Sequence, residues 1–175
     1  MTFIEMLAAR RSHRTFQPRP VEREKIDALL RATLTAPSSK NCRSTRLAVI
    51  EDKEKLAKIA LMRNSGSGFV KDAPAAILVM GDAADTDLWV DNCAISATTL
   101  QYAAESLGLG TCWVHVNGRP HDTHDPAAGT AEEWLRTFLP IPAGWHVLCA
   151  VVVGYPANEL KPHTPKDDAD KVFCW

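Results

Sequence analysis

The sequence predicts a single domain of mixed class, α/β or α+β, with about four strands. Three observations predict it. Apolar runs of strand length recur at 46–50, 75–80, 111–116 and 146–153. Segments with apolar residues at helical spacing precede and separate them. The chain has 175 residues, the length of one domain, and its 46% hydrophobic and 23% charged content matches ordinary globular usage, which excludes disorder, collagen and coiled coil.

Each element has its own signal. Thr2 and Glu5 form a capping-box pattern ahead of Met6, Leu7 and Ala8, predicting a helix over 3–10. The block Arg10-Arg11-Ser12-His13-Arg14 follows, and Pro18 and Pro20 mark an extended connection. A helix over 22–35 carries Ile26, Leu29, Leu30 and Leu34 at helical spacing and stops at Ala36-Pro37-Ser38-Ser39. A strand over 46–50 and a helix over 52–61 come next, then a Gly/Ser-rich loop, 64–68, read as flexible. Pro74 and Gly81 bound the strand 75–80. The longest helix, 88–107, is small or apolar on both faces, which predicts burial on more than one side, and Gly108 and Gly110 end it. A strand over 111–116, a polar loop over 117–129 and a short amphipathic helix over 131–139 lead to the last core strand, 146–153, closed by Gly154-Tyr155-Pro156. The tail, 157–175, is polar and charged yet ends Val172-Phe173-Cys174-Trp175, which suits docking on its own domain or on another subunit.

Charge and cysteine usage narrow the function. Twenty Lys and Arg against 21 Asp and Glu give a net charge of -1, so a general nucleic-acid binder is excluded. The five cysteines include no CxxC pair, and Cys93, Cys112 and Cys149 lie in apolar runs. That excludes a zinc knuckle and a thioredoxin-like motif and fits a reducing, cytoplasmic setting. Residues 1–14 do not read as a signal peptide, and the apolar stretch 147–154 is too short to cross a bilayer, so no membrane association is expected.

No GxGxxG, GxSxG, HExxH or Walker pattern is present. Three guanidiniums and a hydroxyl in Arg10-Arg11-Ser12-His13-Arg14 suit a phosphate; a solvated basic turn after a helix is the alternative. The loop Ala36-Pro37-Ser38-Ser39-Lys40-Asn41 offers hydroxyls, an amide and open backbone to a heteroaromatic ring, or is a plain turn. His115, His121, Asp122, His124 and Asp125 have the chemistry of metal ligands but lack a rigid helical presentation, so no metal is expected. Cys42 beside Arg43 has the setting of a lowered thiol pKa without a partner base.

Taken in order, these features resemble the FMN-dependent nitroreductase family over nearly the whole chain. The matching pieces are the 10–16 block, Pro20-Val21, the 36–41 loop, Lys71-Asp72-Ala73-Pro74, Trp89-Val90-Asp91-Asn92-Cys93-Ala94-Ile95, Leu107-Gly108-Leu109-Gly110-Thr111-Cys112-Trp113 and Val153-Gly154-Tyr155-Pro156. The resemblance implies an α+β fold around a mainly antiparallel sheet, one FMN-binding domain over 1–175, and an intertwined homodimer with the flavin at the interface. The 88–107 helix would be a dimer element and 157–175 an arm reaching the partner. Arg10, Arg11, Ser12 and Arg14 would hold the FMN phosphate. Pro37, Ser38, Ser39 and Asn41 would approach the flavin ring from the other subunit, and Trp113 and Val114 would pass it. Lys166, with Lys161 as the alternative, would reach the phosphate from the tail, and Asn64 would be a further polar contact.

The implied activity is an NAD(P)H-driven, ping-pong reduction of a small organic acceptor, nitroaromatic or quinone-like, with NADH or NADPH as donor. The chemistry lies on the flavin and needs no catalytic side chain or metal, although His115 is available as a proton donor. The alternatives are a specialised relative, a flavin-binding storage or redox-sensing protein without turnover, and a basic-patch interaction protein. One departure stands out: where the family continues Asn-x-Gln-Pro-Trp, this chain reads Asn41-Cys42-Arg43-Ser44-Thr45, and Arg46 follows. That changes the packing and charge expected beside the ring.

Overall fold

The structure, a computed structural model, describes residues 2–164, 166 and 168–174. The elements come in the expected order: α1 Phe3–Ala9, α2 Arg23–Leu34, β1 Thr45–Ile50, α3 Lys53–Ala60, β2 Ala75–Asp82, α4 Trp89–Ser106, β3 Gly110–His115, α5 Ala131–Arg136 and β4 Trp145–Gly154. Two short 3-10 turns, Ser39–Asn41 and Gly68–Asp72, fall where only loop was expected. The Thr2–Glu5 capping box on α1 is formed in both directions. The α5 helix ends at Arg136, short of 139, because the approaching Pro140 drives the residue before it out of helical geometry.

The strands lie in the order β1-β2-β4-β3, with every neighbouring pair antiparallel, so the class is α+β. Alternating helices and strands would ordinarily suggest parallel βαβ units. Here α3 runs out and the Gly68–Asp72 turn packs back along it, so β2 re-enters the sheet opposite to β1. β2 and β3 are both antiparallel to β4 and therefore run the same way. α4 is the crossover between them, and its 18 residues span about 27 Å, the length of the eight-residue β2.

Both sheet faces are covered. Ile77, Val79, Val151 and Val153 pack under Ile26 and Leu29 of α2 and under Ala97 and Leu100 of α4. On the other face Leu78, Met80, Ala150 and Val152 meet Leu56 and Ile59 of α3 and Leu135 of α5. Burial from both sides is why β2 reads as a continuous apolar run rather than an alternation. β4 carries a bulge: Val79 faces Cys149 but Met80 faces Val147, leaving Leu148 as the extra residue. Its carbonyl accepts the amides of Val116 and Asn117 at 3.0 and 3.1 Å, which turns the chain off the end of β3.

The outer face of α4 departs from the expectation of two-sided burial. Within one chain its exposed stripe is Asp91, Ile95 and Thr98, with Ile95 42% accessible. The neighbouring α1 adds Phe3 and Ile4, 60% and 72% accessible, and Phe3 meets Tyr102 of α4 edge-on at 6.0 Å. The loop at 64–68 is better fixed than its composition suggests. Ser67 is fully buried and donates to the carbonyls of Ala60 and Arg63 at 2.8 and 3.0 Å.

The tail first packs on its own chain. Ala157 donates to Thr15 and His163 to Ala8 through backbone amides, at 3.1 and 3.0 Å. Further on, Val172 is 71% accessible. Trp175, expected to dock, lies outside the described residues. Among the described residues no helix is long and apolar enough to cross a membrane.

Candidate functional site

Two structured patches carry most of the residues singled out by the sequence, and they lie at opposite ends of α4. The first is built on β3, an edge strand. Ser12 forms a parallel bridge with Thr111, and the His13 amide donates to the Thr111 carbonyl at 2.9 Å. This pins the basic block along the outer rim of the strand. The approach is close: a Cβ on Gly110 would stand 2.9 Å from the His13 ring and from Pro156, so only glycine lets the block lie so near the strand.

Around this rim Arg10, Arg11 and Arg14 make the charge mainly positive, with Glu105 the carboxylate nearest Arg10. Arg10 and Arg14 make no ion pair among the described residues, and the Ser12 hydroxyl makes no hydrogen bond there. Arg14 lies over the Phe69 ring at 6.0 Å. Arg11 donates to the carbonyl of Lys161. Burial, then Arg11 and Arg10, holds the His13 imidazole below its ordinary pKa and so neutral. Burial raises the Glu105 carboxyl, with Arg10 opposing it. Two guanidiniums that make no ion pair among the described residues, beside a hydroxyl with no hydrogen bond there, make a ready receiver for a dianionic phosphate.

The rim continues past Trp113. Along a strand, N–H and C=O of alternate residues point to the same edge. Thr111 and His115 both use their carbonyls on the outer edge, the first toward His13 and the second toward Arg63 Nη1 at 3.4 Å. Trp113, between them, therefore offers its backbone to the same open rim. Its ring stacks on His115 at 6.1 Å and 14°, and its Nε1–H donates to His115 Nδ1 at 3.2 Å. Val114 points the other way, into the core against α3 and α5.

The second patch is the 37–44 loop, held at the start of α4. Lys40, Asn41 and Arg43 sit in the left-handed region with φ of 49°, 53° and 50°. Non-glycine residues pay roughly 1–3 kcal/mol each for sparsely populated conformations, so something must hold them. That group is Asn92, 2% accessible in the first turn of α4. Its Oδ1 accepts the Ser39 amide at 2.9 Å. Its Nδ2 faces Ser44 Oγ at 3.1 Å, Ser39 Oγ at 3.3 Å and Cys42 Sγ at 3.4 Å. Ser38 Oγ accepts the Arg43 amide at 2.9 Å. The result presents Pro37 and the Asn41 side chain to solvent, and the Asn41 amide group has no hydrogen bond among the described residues.

This loop also answers the departure in sequence. Arg43 turns back to the Leu34 carbonyl at the end of α2 (3.2 Å), and Arg46 binds the Arg43 carbonyl (2.8 Å) and Asp85 (3.2 Å). Both charges are thus tied within the loop. Desolvation is the largest single influence on the Cys42 thiol and raises it, but hydrogen bonds from the Ser39, Ser44 and Ser38 hydroxyls and the Ser44 backbone together outweigh it and bring the pKa down; Arg43 is not the cause.

The remaining residues stand apart. Asn64 donates through Nδ2 to Asp122 Oδ1 at 2.5 Å and to Thr123 Oγ1 at 3.1 Å, tying down the 117–129 loop. His121 donates through Nδ1–H to the Met62 carbonyl at 3.0 Å and stacks on Trp134 at 4.7 Å, a packing role. Among the described residues no group of His, Cys, Asp and Glu is arranged to hold a metal ion. Lys166 is exposed, and the tail meets the basic block through the Lys161 backbone. Sequence reasoning assigned no role to Asn92. Its local signal was a polar amide near the start of the helix, one turn before Ser96, inside the 89–95 segment that carries the resemblance.

Asn92 and Glu105 are thirteen residues apart on α4, about 20 Å. Within one chain the loop and the basic rim are thus held well apart along α4. Two α4 helices paired antiparallel about a two-fold axis would bring the loop of one chain to the rim of the other.

Comparison with known proteins gives a consistent result. The model of the nitroreductase family matches residues 7–66 and 61–155. An FMN-dependent nitroreductase from Clostridium difficile R20291 superposes with a TM-score of 0.92 at 37% identity, over 98% of each chain. A protein of Methanothermobacter thermautotrophicus that carries a nitroreductase name is 34% identical over 161 residues, 90% of this chain and 79% of its own. The FMN reductase [NAD(P)H] of Bacillus subtilis is 28% identical, over 94% of this chain and 70% of its own.

Proposed function

The chain belongs to the nitroreductase family, and we propose that it works as an FMN-dependent, NAD(P)H-linked oxidoreductase whose flavin site is shared between two copies. Its acceptor is a small organic molecule, of which nitroaromatic and quinone-like compounds are the classes to screen. The observation that carries this reading is the β3 rim, with its unpaired Arg10 and Arg14, free Ser12 hydroxyl and open Trp113 backbone in one line. That line suits a ligand with a phosphate head and a flat, hydrogen-bonding ring.

The geometry supports the following roles. Arg10, Ser12 and Arg14 bind the phosphate, and Arg11 braces the tail on the block through the Lys161 carbonyl. The rim at Trp113 orients the ring, and Pro37, Ser38, Ser39 and Asn41 of a second chain meet it from the far side. Asn92 holds those residues in place. Asn64 acts indirectly, by fixing the loop at Asp122 and Thr123. Lys166 remains the tail lysine available to the phosphate from beyond the segment that packs on its own chain. What FMN supplies when bound is the redox chemistry itself, hydride uptake from NAD(P)H and electron delivery to the acceptor. Donor and acceptor would take turns at one site, which would make the kinetics ping-pong, and no side chain is needed as nucleophile.

The test is an anaerobic visible spectrum of the protein reconstituted with FMN and desalted, before and after NADH or NADPH. The expected result is a flavin band that bleaches with at least one donor and returns on adding menadione or a nitroaromatic. A band that persists with both donors supports a flavin-binding protein without turnover instead.

A further inference from the structure

Beyond the phosphate block, the far end of the β3 rim carries a second cationic group that the flavin reading does not use. Arg63, just after α3, places Nη1 at 3.4 Å from the His115 carbonyl. Arg119 lies in the turn that follows β3, its amide donating to the Val116 carbonyl at 3.0 Å, and with Arg63 it acts on the His115 imidazole, which burial and these two charges hold below its ordinary pKa. Neither arginine has an ion pair among the described residues. Both start from fixed backbone: the Arg63 carbonyl accepts Ser67 Oγ at 3.0 Å, and the Arg119 carbonyl accepts the Ala131 amide at 2.9 Å where α5 begins. Trp113 Nε1–H can only donate, so His115 Nδ1 accepts and the ring proton sits on Nε2, a neutral donor within the same cluster.

Arg63 also forms part of the wall of an open cleft of about 580 Å³. Ala60, Leu61 and the ring of Trp134, which stacks on His121, give this cleft an apolar side. The one carboxylate on its lining, Asp122, already receives the Asn64 side-chain amide at 2.5 Å and the His124 backbone amide at 2.8 Å. Arg63 on the cleft wall and Arg119 in the turn after β3, neither in an ion pair among the described residues, beside a flat apolar wall fit the two halves of a nucleotide, its phosphates and its base.

We propose that Arg63 and Arg119 bind phosphate groups of the nicotinamide dinucleotide donor, with its adenosine lying in the cleft against Leu61 and Trp134. The assignment rests on the functional reading above and names the residues that select the donor. The two sources of that phosphate chemistry are the 2′-phosphate, present only in NADPH, and the pyrophosphate, common to both donors.

The experiment compares wild type, Arg63→Gln, Arg119→Ala and the double variant. NADP+ and NAD+ binding is measured by calorimetry, flavin reduction is followed anaerobically at varied NADPH and NADH, and FMN affinity is measured on each protein. Arg119 is exposed, so its variant keeps the fold even if Arg63→Gln does not. Loss of a charge-assisted contact weakens nucleotide binding about tenfold or more per arginine, with FMN affinity unchanged. A loss confined to NADP+ and NADPH places the 2′-phosphate at the pair; an equal loss for both nucleotides places the pyrophosphate there. Unchanged nucleotide binding in variants that retain FMN overturns the proposal, and so does loss of FMN from Arg119→Ala. A wild-type flavin that neither donor reduces removes the functional reading and this assignment together.

Discussion

Asn92 and His13 show how much single side chains decide here. Asn92 is a buried amide whose oxygen and nitrogen are both engaged by the 39–44 loop, so it converts an intrinsically unfavourable backbone into a fixed one. His13 is the opposite case. It is 8% accessible, and its Nδ1 is buried with no hydrogen-bond partner among the described residues, a deficit of roughly 1–3 kcal/mol. His13→Val removes that atom at similar volume and is expected to stabilise the protein by about 1 kcal/mol in denaturant unfolding at pH 7. A clear loss of stability would mean that Nδ1 serves a purpose not visible in the fold. The pH dependence follows from the sign of the shift. The folded pKa of His13 lies below its unfolded value, so the unfolded chain takes up the proton first. Stability is full above about pH 6.5 and falls as the pH drops below it. The valine variant should lose less over that window, even though His115 contributes in the same direction.

At the scale of elements, the β3 edge and the 10–14 segment act as one unit. The bridge at Ser12 and Thr111 sets where the guanidiniums stand. Replacing Arg10 and Arg14 together by alanine removes two charge-assisted phosphate contacts of about 1.5–3 kcal/mol each, which weakens FMN binding about a hundredfold or more. Fluorescence titration with FMN measures this, and an unchanged affinity would detach the block from the phosphate. The elements themselves were legible in the sequence. Helical spacing located α2 and α4, continuous apolar runs located β2 and β4, and Thr2 with Glu5 located the first cap. Strand direction was not legible from pattern alone, because it depends on the Gly68–Asp72 turn doubling back on α3. The left-handed residues Lys40, Asn41 and Arg43 carry no glycine to announce them. The role of Asn92 depends on a partner segment 53 residues away, beyond the reach of any local pattern.

For the whole molecule, the two halves of the site lie at opposite ends of α4. The helix leaves Ile95 and Thr98 uncovered, next to the exposed Phe3 and Ile4 of α1. A two-fold axis across this face would bury it and bring each 37–44 loop to the other chain's rim. The measurement that tests it most directly mixes two defective chains. One carries Arg10→Ala with Arg14→Ala, and the other carries Asn92→Ala, with the fold of each checked by circular dichroism. Each alone should bind FMN poorly. In a heterodimer one site takes its basic rim and its loop from the two unmutated halves, while the other site collects both defects. The account predicts that co-expressed chains, purified through separate tags, recover one tight FMN site per heterodimer. Heterodimers that bind FMN no better than either parent would contradict it.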